Sequence, residues 1–226
     1  MTNILLTGAS RGIGAACAEA LKAENLIGTS SADGDLADPA TPQRLWDSAL
    51  GQLGGRVDVL INNAGVFEAA AVDLEHDEWV AAWERTMRIN LTASAELCRL
   101  AVLHFRAHGG GRIVNVASRA AYRGDSPAHW HYAASKAGMI GMTKSIARGF
   151  ARENILAFAV CPGFVMTGMA DDYLAGRGGD QLLQDIPLGR VATPEEIAST
   201  VRYLALDAPP SMTGAVIDIN GASYVR

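Results

Sequence analysis

Apolar residues along the chain fall into six short continuous runs, separated by longer segments that mix apolar and polar residues with a helical period. A continuous apolar run is typical of a strand buried on both faces, because helices cover both sides of a parallel sheet. The six runs are residues 3–7 (NILLT), 25–29 (NLIGT), 57–61 (VDVLI), 112–117 (RIVNVA), 155–160 (ILAFAV) and 215–219 (AVIDI). The pattern therefore predicts an α/β fold with a single doubly wound parallel sheet.

One connection in this alternation is short. Only the residues SSADG separate Thr29 from Asp35, whereas a crossover between adjacent parallel strands needs roughly a dozen residues or more. We therefore expect no crossover helix between residues 30 and 42, and a sheet shortened at its strand-two/strand-three edge. Because no repeat, low-complexity tract or linker divides the chain, residues 1–226 are expected to form one domain.

Composition excludes several classes of protein. The chain has 226 residues, of which 49% are hydrophobic, and its net charge of -5 comes without a basic run, which argues against a nucleic-acid partner. The longest apolar run contains Pro162 and is too short to span a bilayer, and the N-terminus lacks the pattern of a signal peptide. Three isolated cysteines without CxxC spacing indicate neither disulfides nor a metal site. We expect a cytoplasmic protein with no membrane contact and no metal.

A glycine-rich turn follows the first predicted strand. The stretch TGASRGIG, residues 7–14, leads into a helical segment. Gly8 permits a tight turn, Gly12 lets the backbone approach a pyrophosphate, and Gly14 lets helix and strand pack closely. The helix N-terminus offers free N–H groups and a positive dipole end to phosphates. The position of this turn at the first strand of a parallel sheet favours a Rossmann-like dinucleotide site.

The end of the second predicted strand bears on the choice of dinucleotide. A site for NAD(H) usually places an acidic residue there, but this chain has the hydroxyl residues Thr29, Ser30 and Ser31. Hydroxyls tolerate a 2′-phosphate, and Arg11 in the glycine turn could pair with it. NADP(H) is therefore favoured. NAD(H) stays open, because Asp33 could bend back to bind the ribose.

Tyr132 and Lys136 are four residues apart among small residues, in the stretch YAASK. On a helix this spacing puts both side chains on one face, so that the ammonium can act on the phenol. A free phenol titrates near pH 10, and nearby positive charge favours its ionised form. The pair could therefore serve as a proton donor and acceptor if a second cation, such as an oxidised nicotinamide, lies beside it.

Three further patterns accompany the glycine turn and this pair: NNAG at residues 62–65, Ser118 at the end of RIVNVAS, and Asn90 in MRINLTA. Together they resemble the short-chain dehydrogenase/reductase family, and the resemblance runs from Ile4 to the C-terminal stretch TGAVIDINGASY. Within the family, the stretches IPLGR and EIA are most similar to 3-oxoacyl-(acyl carrier protein) reductase-like members.

The resemblance implies a role for each catalytic position. Tyr132 would be the general acid/base, Lys136 would hold the nicotinamide ribose and lower the pKa of the phenol, and Ser118 would hydrogen-bond the substrate oxygen. Asn90 would hold a water molecule that links Lys136 to solvent. The implied reaction interconverts a ketone and a secondary alcohol on a small-molecule substrate, and a 3-oxoacyl thioester is one such substrate.

The glycine turn and the resemblance together also define a set of residues expected to border the cofactor. They are Gly8, Ser10, Arg11, Gly12, Ile13, Gly14, Ser30, Asp35, Leu36, Asn63, Ala64, Gly65, Tyr132, Lys136, Pro162, Gly163, Val165 and Thr167. Two alternatives stay open: an NAD-dependent alcohol or polyol dehydrogenase on the same scaffold, and a non-catalytic dinucleotide-sensing protein. A sensor would not need Ser118, Tyr132 and Lys136 together.

Two apolar stripes recur at helical spacing, and core packing is the first expectation for both. One comprises Trp79, Trp83, Met87 and Leu91, and the other comprises Met139, Met142, Ile146 and Phe150. Each helix also carries apolar or small residues outside its stripe, which a second copy of the chain could cover. A homodimer or homotetramer is therefore expected. His129 and His131 lack further ligands at metal-binding spacing, so they are interpreted as pocket or surface residues.

Overall fold

The computed structural model describes residues 1–166 and 183–226, and a six-stranded parallel sheet forms its centre. The strands are β1 (Asn3–Thr7), β2 (Asn25–Thr29), β3 (Val59–Asn62), β4 (Gly111–Val116), β5 (Ile155–Pro162) and β6 (Val216–Ile219). Their order across the sheet is β2-β1-β3-β4-β5-β6. The predicted fold class is confirmed, and each predicted apolar run overlaps a strand, although the bounds of β3, β4, β5 and β6 differ from those of their runs by one or more residues.

Helices pack on both faces of this sheet. They are α1 (Gly12–Ala20), α2 (Thr41–Gln52), α3 (His76–Met87), α4 (Ala93–Ala107), α5 (Ala120–Arg123), α6 (Trp130–Phe150) and α7 (Pro194–Arg202). A π-helical turn, Arg88–Thr92, joins α3 to α4. No helix within residues 1–166 and 183–226 has the length and apolarity needed to cross a membrane.

The core consists of one apolar layer on each face of the sheet. On β1, Leu6 packs into the layer that contains α1 and α7, whereas Leu5 packs into the layer that contains α2, α4 and α6. Phe158 of β5 lies in the first layer, and Trp46 of α2 lies in the second. Because successive side chains of a strand point to opposite faces, strands between two helical layers must be apolar throughout.

The short connection after β2 lacks a crossover helix, as predicted. Residues 30–40 are all described, and they form turns that contain neither a helix nor a strand. Strand β2 is therefore an edge strand, and the chain passes through α2 to β3 on the other side of β1. The order of strands reverses between β1 and β3, and ligands of such sheets bind in the crevice at this reversal.

The two apolar stripes differ in burial. On α6, Met139 and Ile146 are buried, in agreement with the expectation of core packing. On α3, the same expectation is wrong for Trp79 and Trp83, which stay partly exposed and stack on each other with ring centroids 5.3 Å apart. Their rings contact Trp130 and His131 at the N-terminal end of α6, and no residue of α3 belongs to the two core layers.

Candidate active site

The glycine turn is packed against the loop that follows β3. Gly8 and Gly12 have φ angles of +70° and +53°, which glycine adopts without the strain that a side chain would cause. A Cβ atom on Gly8 would lie 2.8 Å from the Cα atom of Ala64, and one on Gly14 would lie 2.6 Å from Nδ2 of Asn63. No side chain fits at either position, so the turn is in direct backbone contact with the NNAG loop.

Thr7 and Asn63 hold these two segments together. The hydroxyl oxygen of Thr7 accepts hydrogen bonds from the backbone N–H groups of Asn63 and Ala64, each at 3.1 Å. In return, the side-chain amide of Asn63 donates to the carbonyl oxygens of Thr7 (3.1 Å) and Gly8 (2.9 Å). Asn63, Ala64 and Gly8 were expected to border the cofactor, whereas this role of Thr7 was not predicted. Its only signal in the sequence is a hydroxyl residue at the end of β1.

The N-terminus of α1 suits an anionic group. Arg11 at the N-cap has an extended backbone and forms no side-chain cap, and the first turn contains no acidic residue. The first N–H groups of the helix therefore lack a side-chain acceptor, and the helix dipole adds positive potential. Ser10 and Arg11 are exposed, whereas Ile13 is partly buried. A pyrophosphate fits this donor set, as the motif predicts.

At the end of β2, Asp33 bends back onto the strand. Its Oδ2 atom accepts hydrogen bonds from the backbone N–H of Ser30 (2.8 Å) and from the Ser30 hydroxyl (3.1 Å). This fold-back is the arrangement that the NAD(H) alternative requires. Asp35 accepts a hydrogen bond from the N–H of Ala37 at 2.9 Å and lies 3.8 Å from a guanidinium nitrogen of Arg85, while the neighbouring Leu36 is partly buried.

Ser118, Tyr132 and Lys136 converge at the carboxyl end of β4. Ser118 lies two residues beyond the strand, where its Oγ atom accepts the N–H of Ala120 at 3.1 Å. Tyr132, the third residue of α6, lies near enough to Ser118 for the Ser118 side chain to act on the pKa of the phenol. Lys136, one turn further along α6, is buried and donates to the carbonyl oxygen of Val116 at 2.8 Å.

Burial controls the protonation of this group. Desolvation raises the pKa of Tyr132 to about 12, although the hydrogen bond with Ser118 acts in the opposite direction. The negative charge of Asp125 and the Cys161 thiol add to the increase. Burial lowers the pKa of Lys136 to about 8. With these groups alone, the phenol is protonated at neutral pH and the amine is mostly charged.

Asn90 lies in the π-helical turn between α3 and α4 and is fully buried. Its side-chain oxygen accepts the N–H of Val66 at 2.8 Å, and its side-chain nitrogen donates to the Val66 carbonyl at 3.0 Å and to the Ser135 hydroxyl at 3.3 Å. A Cβ atom on Gly65 would lie 3.2 Å from the Asn90 side chain and 3.5 Å from Nζ of Lys136. Asn90 thus joins the NNAG loop to α6, and its role in a water relay stays a prediction.

The loop after β5 supplies the remaining predicted positions. Strand β5 ends at Pro162, and the N–H of Gly163 donates to the carbonyl oxygen of Ile219 at 3.0 Å. Val165 is buried and forms a parallel bridge with Ala192. Thr167 is outside the described residues, so its predicted contact with the cofactor stays a prediction.

Phe67 contacts Tyr132 in an arrangement that the sequence did not reveal. Phe67 stacks on His129 with ring centroids 3.9 Å apart, and its ring meets the Tyr132 ring edge-on at 4.8 Å. The hydroxyl of Ser126 lies 2.6 Å from Nδ1 of His129. His131 is buried, so a surface position is wrong for this residue, whereas His129 is partly buried and its place in a substrate pocket stays a prediction. Within the described residues, no three His, Cys, Asp or Glu side chains are grouped as a metal site would require.

Comparison with known families gives the same class that the fold and the site define. Residues 24–222 match the family model described as enoyl-(acyl carrier protein) reductase. The chain belongs to the short-chain dehydrogenase/reductase family, and it is an NAD(P)-dependent oxidoreductase.

Several similar proteins are named 3-oxoacyl-(acyl-carrier-protein) reductases. The chain is 40% identical to a 3-oxoacyl-(acyl-carrier-protein) reductase of Thermotoga maritima, over 76% of this chain and 68% of that protein. It is 32% identical to the reductases of the same name from Salmonella typhimurium and Escherichia coli, over 98% of this chain and 96% of each relative. The resemblance inferred from the motifs is therefore confirmed at the level of the family.

Proposed function

We propose that this protein interconverts a ketone and a secondary alcohol by hydride transfer, with Tyr132 as the general acid/base and NADP(H) as the cofactor. The observation that supports this most strongly is the convergence of Ser118, Tyr132 and Lys136 beside the NNAG loop. Ser118 follows β4 and the other two residues lie on α6, while the NNAG loop follows β3, and a Cβ atom on Gly65 of that loop would lie 3.5 Å from Nζ of Lys136. A dinucleotide is expected at this edge of the sheet. The names of the relatives make 3-oxoacyl thioesters the first substrate class to test.

In this mechanism the bound nicotinamide supplies or accepts the hydride. The protein supplies a proton and orients the carbonyl group. Ser118, fixed by the N–H of Ala120, donates to the substrate oxygen and stabilises the negative charge that develops on it. Tyr132 donates its proton to the same oxygen during reduction. A pKa of about 12 keeps Tyr132 protonated and ready for that step at neutral pH.

Oxidation of an alcohol requires the deprotonated form of Tyr132. The phenol must then lose its proton, and each unit by which its pKa exceeds the working pH costs about 1.4 kcal/mol. The Lys136 ammonium lies 5.8 Å from the centre of the Tyr132 ring and favours the phenolate. A positively charged oxidised cofactor would add to this effect. Reduction at neutral pH is therefore the direction that these residues favour.

The preference for NADP(H) depends on the residues around the end of β2. Arg11 is exposed at the N-cap of α1, where its guanidinium is free to reach a 2′-phosphate, and Ser30 and Ser31 tolerate such a group. A specific observation favours a second candidate, an NAD(H)-dependent alcohol or polyol dehydrogenase. The carboxylate of Asp33 accepts hydrogen bonds from Ser30 at the end of β2. In this position it would repel a 2′-phosphate and could accept hydrogen bonds from the ribose hydroxyls of NAD(H).

A spectrophotometric screen tests the proposal. Ketones, 3-oxoacyl thioesters and polyols are each assayed with NADPH, NADH and the oxidised cofactors, and cofactor affinity is measured separately by fluorescence titration. We expect turnover of ketones in the wild type, and loss of turnover with retained cofactor binding in Tyr132→Phe. The matched control is Tyr203→Phe, which changes a partly exposed tyrosine on another element and should keep full activity.

Two results would contradict the proposal. Normal turnover in Tyr132→Phe would reject the role of the phenol. Tight cofactor binding without hydride transfer to any carbonyl in the panel would instead favour a dinucleotide-sensing protein.

A further inference from the structure

Arg119 directly follows Ser118 and has a buried cationic side chain. The residue is only 8% exposed, although arginine is almost never buried without a partner. Its backbone N–H donates to the carbonyl oxygen of Pro162 at 2.9 Å, and its guanidinium carbon lies 4.7 Å from the centre of the Phe164 ring. The side chain thus extends from the loop after β4, which carries Ser118, to the loop after β5, which carries Val165.

The charge of Arg119 is poorly compensated within the described residues. The nearest carboxylate oxygen, Oδ2 of Asp185, is 3.9 Å from Nη1, which is too far for a hydrogen bond. That same oxygen accepts a hydrogen bond from Arg123 at 2.6 Å, and the Asp185 side chain is 50% exposed. Two guanidinium groups therefore share one carboxylate, and Nη1 of Arg119 is buried without a hydrogen-bond partner in the described part of the chain.

The buried guanidinium of Arg119 requires a hydrogen-bond acceptor, preferably one with a negative charge. Removing a charged group from water is costly unless a hydrogen-bonded partner of opposite charge replaces the water, and a buried donor without an acceptor adds to the cost. The guanidinium still cannot lose its proton at physiological pH. Cation–π contact with Phe164 offsets only part of the cost. Because the described residues provide no such acceptor for Nη1, an anion bound from solvent would be its partner.

Arg119 lies at the same edge of the sheet as the proposed catalytic group. It directly follows Ser118 beyond the end of β4, and its backbone N–H donates to Pro162 at the end of β5, so it belongs to the carboxyl edge of the sheet. An anion bound by Arg119 would therefore lie at the edge where Ser118 and Tyr132 are proposed to bind a carbonyl group.

We propose that Arg119 binds an anionic oxygen group, a carboxylate or a phosphate, on the carbonyl substrate itself, so that the substrate is a compact oxo acid or oxo phosphate. The planar guanidinium matches both groups through paired N–H donors. This inference rests on the proposed function for its reaction, and it adds the chemical class of the substrate. It also predicts that a thioester without a charge near the ketone is a poorer substrate than an oxo acid of the same length.

Turnover of matched substrates is the first test. Acetoacetate, methyl acetoacetate, an acetoacetyl thioester of a neutral thiol and dihydroxyacetone phosphate are compared in the wild type, Arg119→Met and Arg119→Lys. We expect the wild type to favour at least one anionic substrate over the ester by about tenfold or more in kcat/KM, which corresponds to one charge-assisted contact. Arg119→Met should remove this preference through a higher KM, and Arg119→Lys should keep part of it. Whether acetoacetate or the phosphate is preferred identifies the anion.

Two further variants separate binding from folding. Arg152→Met removes an exposed guanidinium beyond the end of α6 and should leave the preference unchanged. Asp185→Asn removes the carboxylate that Arg119 and Arg123 share, so it should lower the KM for the anionic substrate. A merely structural role of Arg119 would not lower the KM for the anionic substrate in Asp185→Asn. This measurement also remains valid if the Arg119→Met variant does not fold.

A binding measurement distinguishes failure of this inference from failure of the proposed function. Calorimetry compares acetoacetate, acetoacetamide and inorganic phosphate on the wild type and on the Arg119 and Asp185 variants, with and without NADP⁺. Binding of acetoacetate or phosphate that depends on Arg119 would support the anion site even if no ketone were reduced. Equal turnover of the acid and its ester in the wild type, or an anion preference unchanged in folded Arg119→Met, would overturn the inference while ketone reduction stood.

Discussion

Lys136 places its ammonium 5.8 Å from the centre of the Tyr132 ring, on the same face of α6. The amine is held there by the carbonyl oxygen of Val116, at 2.8 Å, and has almost no contact with solvent. A buried ammonium is unfavourable for folding, so its position is explained better by chemistry than by stability.

Replacement of Lys136 by methionine should abolish turnover and stabilise the protein at neutral pH. Burial lowers the pKa of Lys136 from 10.5 to about 8, and a shift of this size corresponds to a stability cost on the order of 3 kcal/mol below pH 8. Between about pH 8 and 10.5 the unfolded chain binds more protons than the folded protein, so this contribution to stability rises with pH. The gain in melting temperature of Lys136→Met should therefore be largest near pH 7 and shrink towards pH 10.

Thermal unfolding at several pH values, with Lys144→Met as the control, checks this expectation. Lys144 is exposed on the same helix, so its removal should change neither activity nor the pH dependence. A variant at position 136 that is less stable than the wild type at every pH would show that the hydrogen bond to Val116 outweighs the cost of burial.

The glycine turn should not accept a side chain at Gly14. A Cβ atom there would collide with the carbonyl oxygen of Gly8 and lie 2.6 Å from the Asn63 side chain. Gly14→Ala should therefore destabilise the fold by about 1–3 kcal/mol and eliminate cofactor binding. Gly51→Ala is the matched control, because Gly51 is within α2 and has no atom within 4 Å of the added methyl. It should stabilise the protein by about 0.5–1 kcal/mol.

Denaturant titration and fluorescence titration with the cofactor measure both effects. Unimpaired cofactor affinity in Gly14→Ala would mean that the contact between the turn and the NNAG loop is not needed for binding.

A homodimer or homotetramer is expected in solution. Leu103 of α4 and Trp130 of α6 are exposed large apolar residues, and a Cβ atom added at Gly141 or Gly149 on α6 would have no atom of the described residues within 4 Å. Such surfaces are typical of faces that a second copy covers. Light scattering at micromolar concentration measures the mass directly. A mass close to 23.7 kDa would identify a monomer and contradict this expectation.

The sheet and the reactive positions were predictable because each depends on a local pattern. Continuous apolar runs locate strands that helices cover on both faces, and the length of the connection after Thr29 is enough to predict the missing crossover. The spacing of Tyr132 and Lys136 fixes their common helix face, and their convergence with Ser118 was expected only from the family resemblance.

Other features of the site depend on contacts between distant segments, which no local pattern encodes. The bond of Thr7 to the NNAG loop, the stacking of Phe67 beside Tyr132, and the contact of Arg119 with Phe164 each join residues that are more than 40 positions apart. The partial exposure of Trp79 was missed for a related reason. Helical spacing reveals an apolar face but not what lies opposite that face.

The choice between the two cofactors should respond to Asp33. Its carboxylate lies on Ser30 at the end of β2, close to where the adenosine ribose is expected. Asparagine keeps the shape and can still accept the N–H of Ser30, but it removes the negative charge. Asp33→Asn should therefore shift the ratio of kcat/KM for NADPH over NADH towards NADPH by on the order of tenfold, since one unit of charge repulsion is removed. Arg11→Met should shift the ratio the other way.

Steady-state kinetics with both cofactors, at low and high salt, measure these ratios. Asp47→Asn is the control, because Asp47 is an exposed carboxylate on α2 that bonds only to Gln43 among the described residues. Salt should weaken the effects of Asp33 and Arg11 together, because both act through exposed charges. A wild type that strongly prefers NADH, and loses that preference in Asp33→Asn, would assign the ribose contact to Asp33 and reverse the proposed preference. Ratios that neither variant changes would show that both side chains lie away from the ribose.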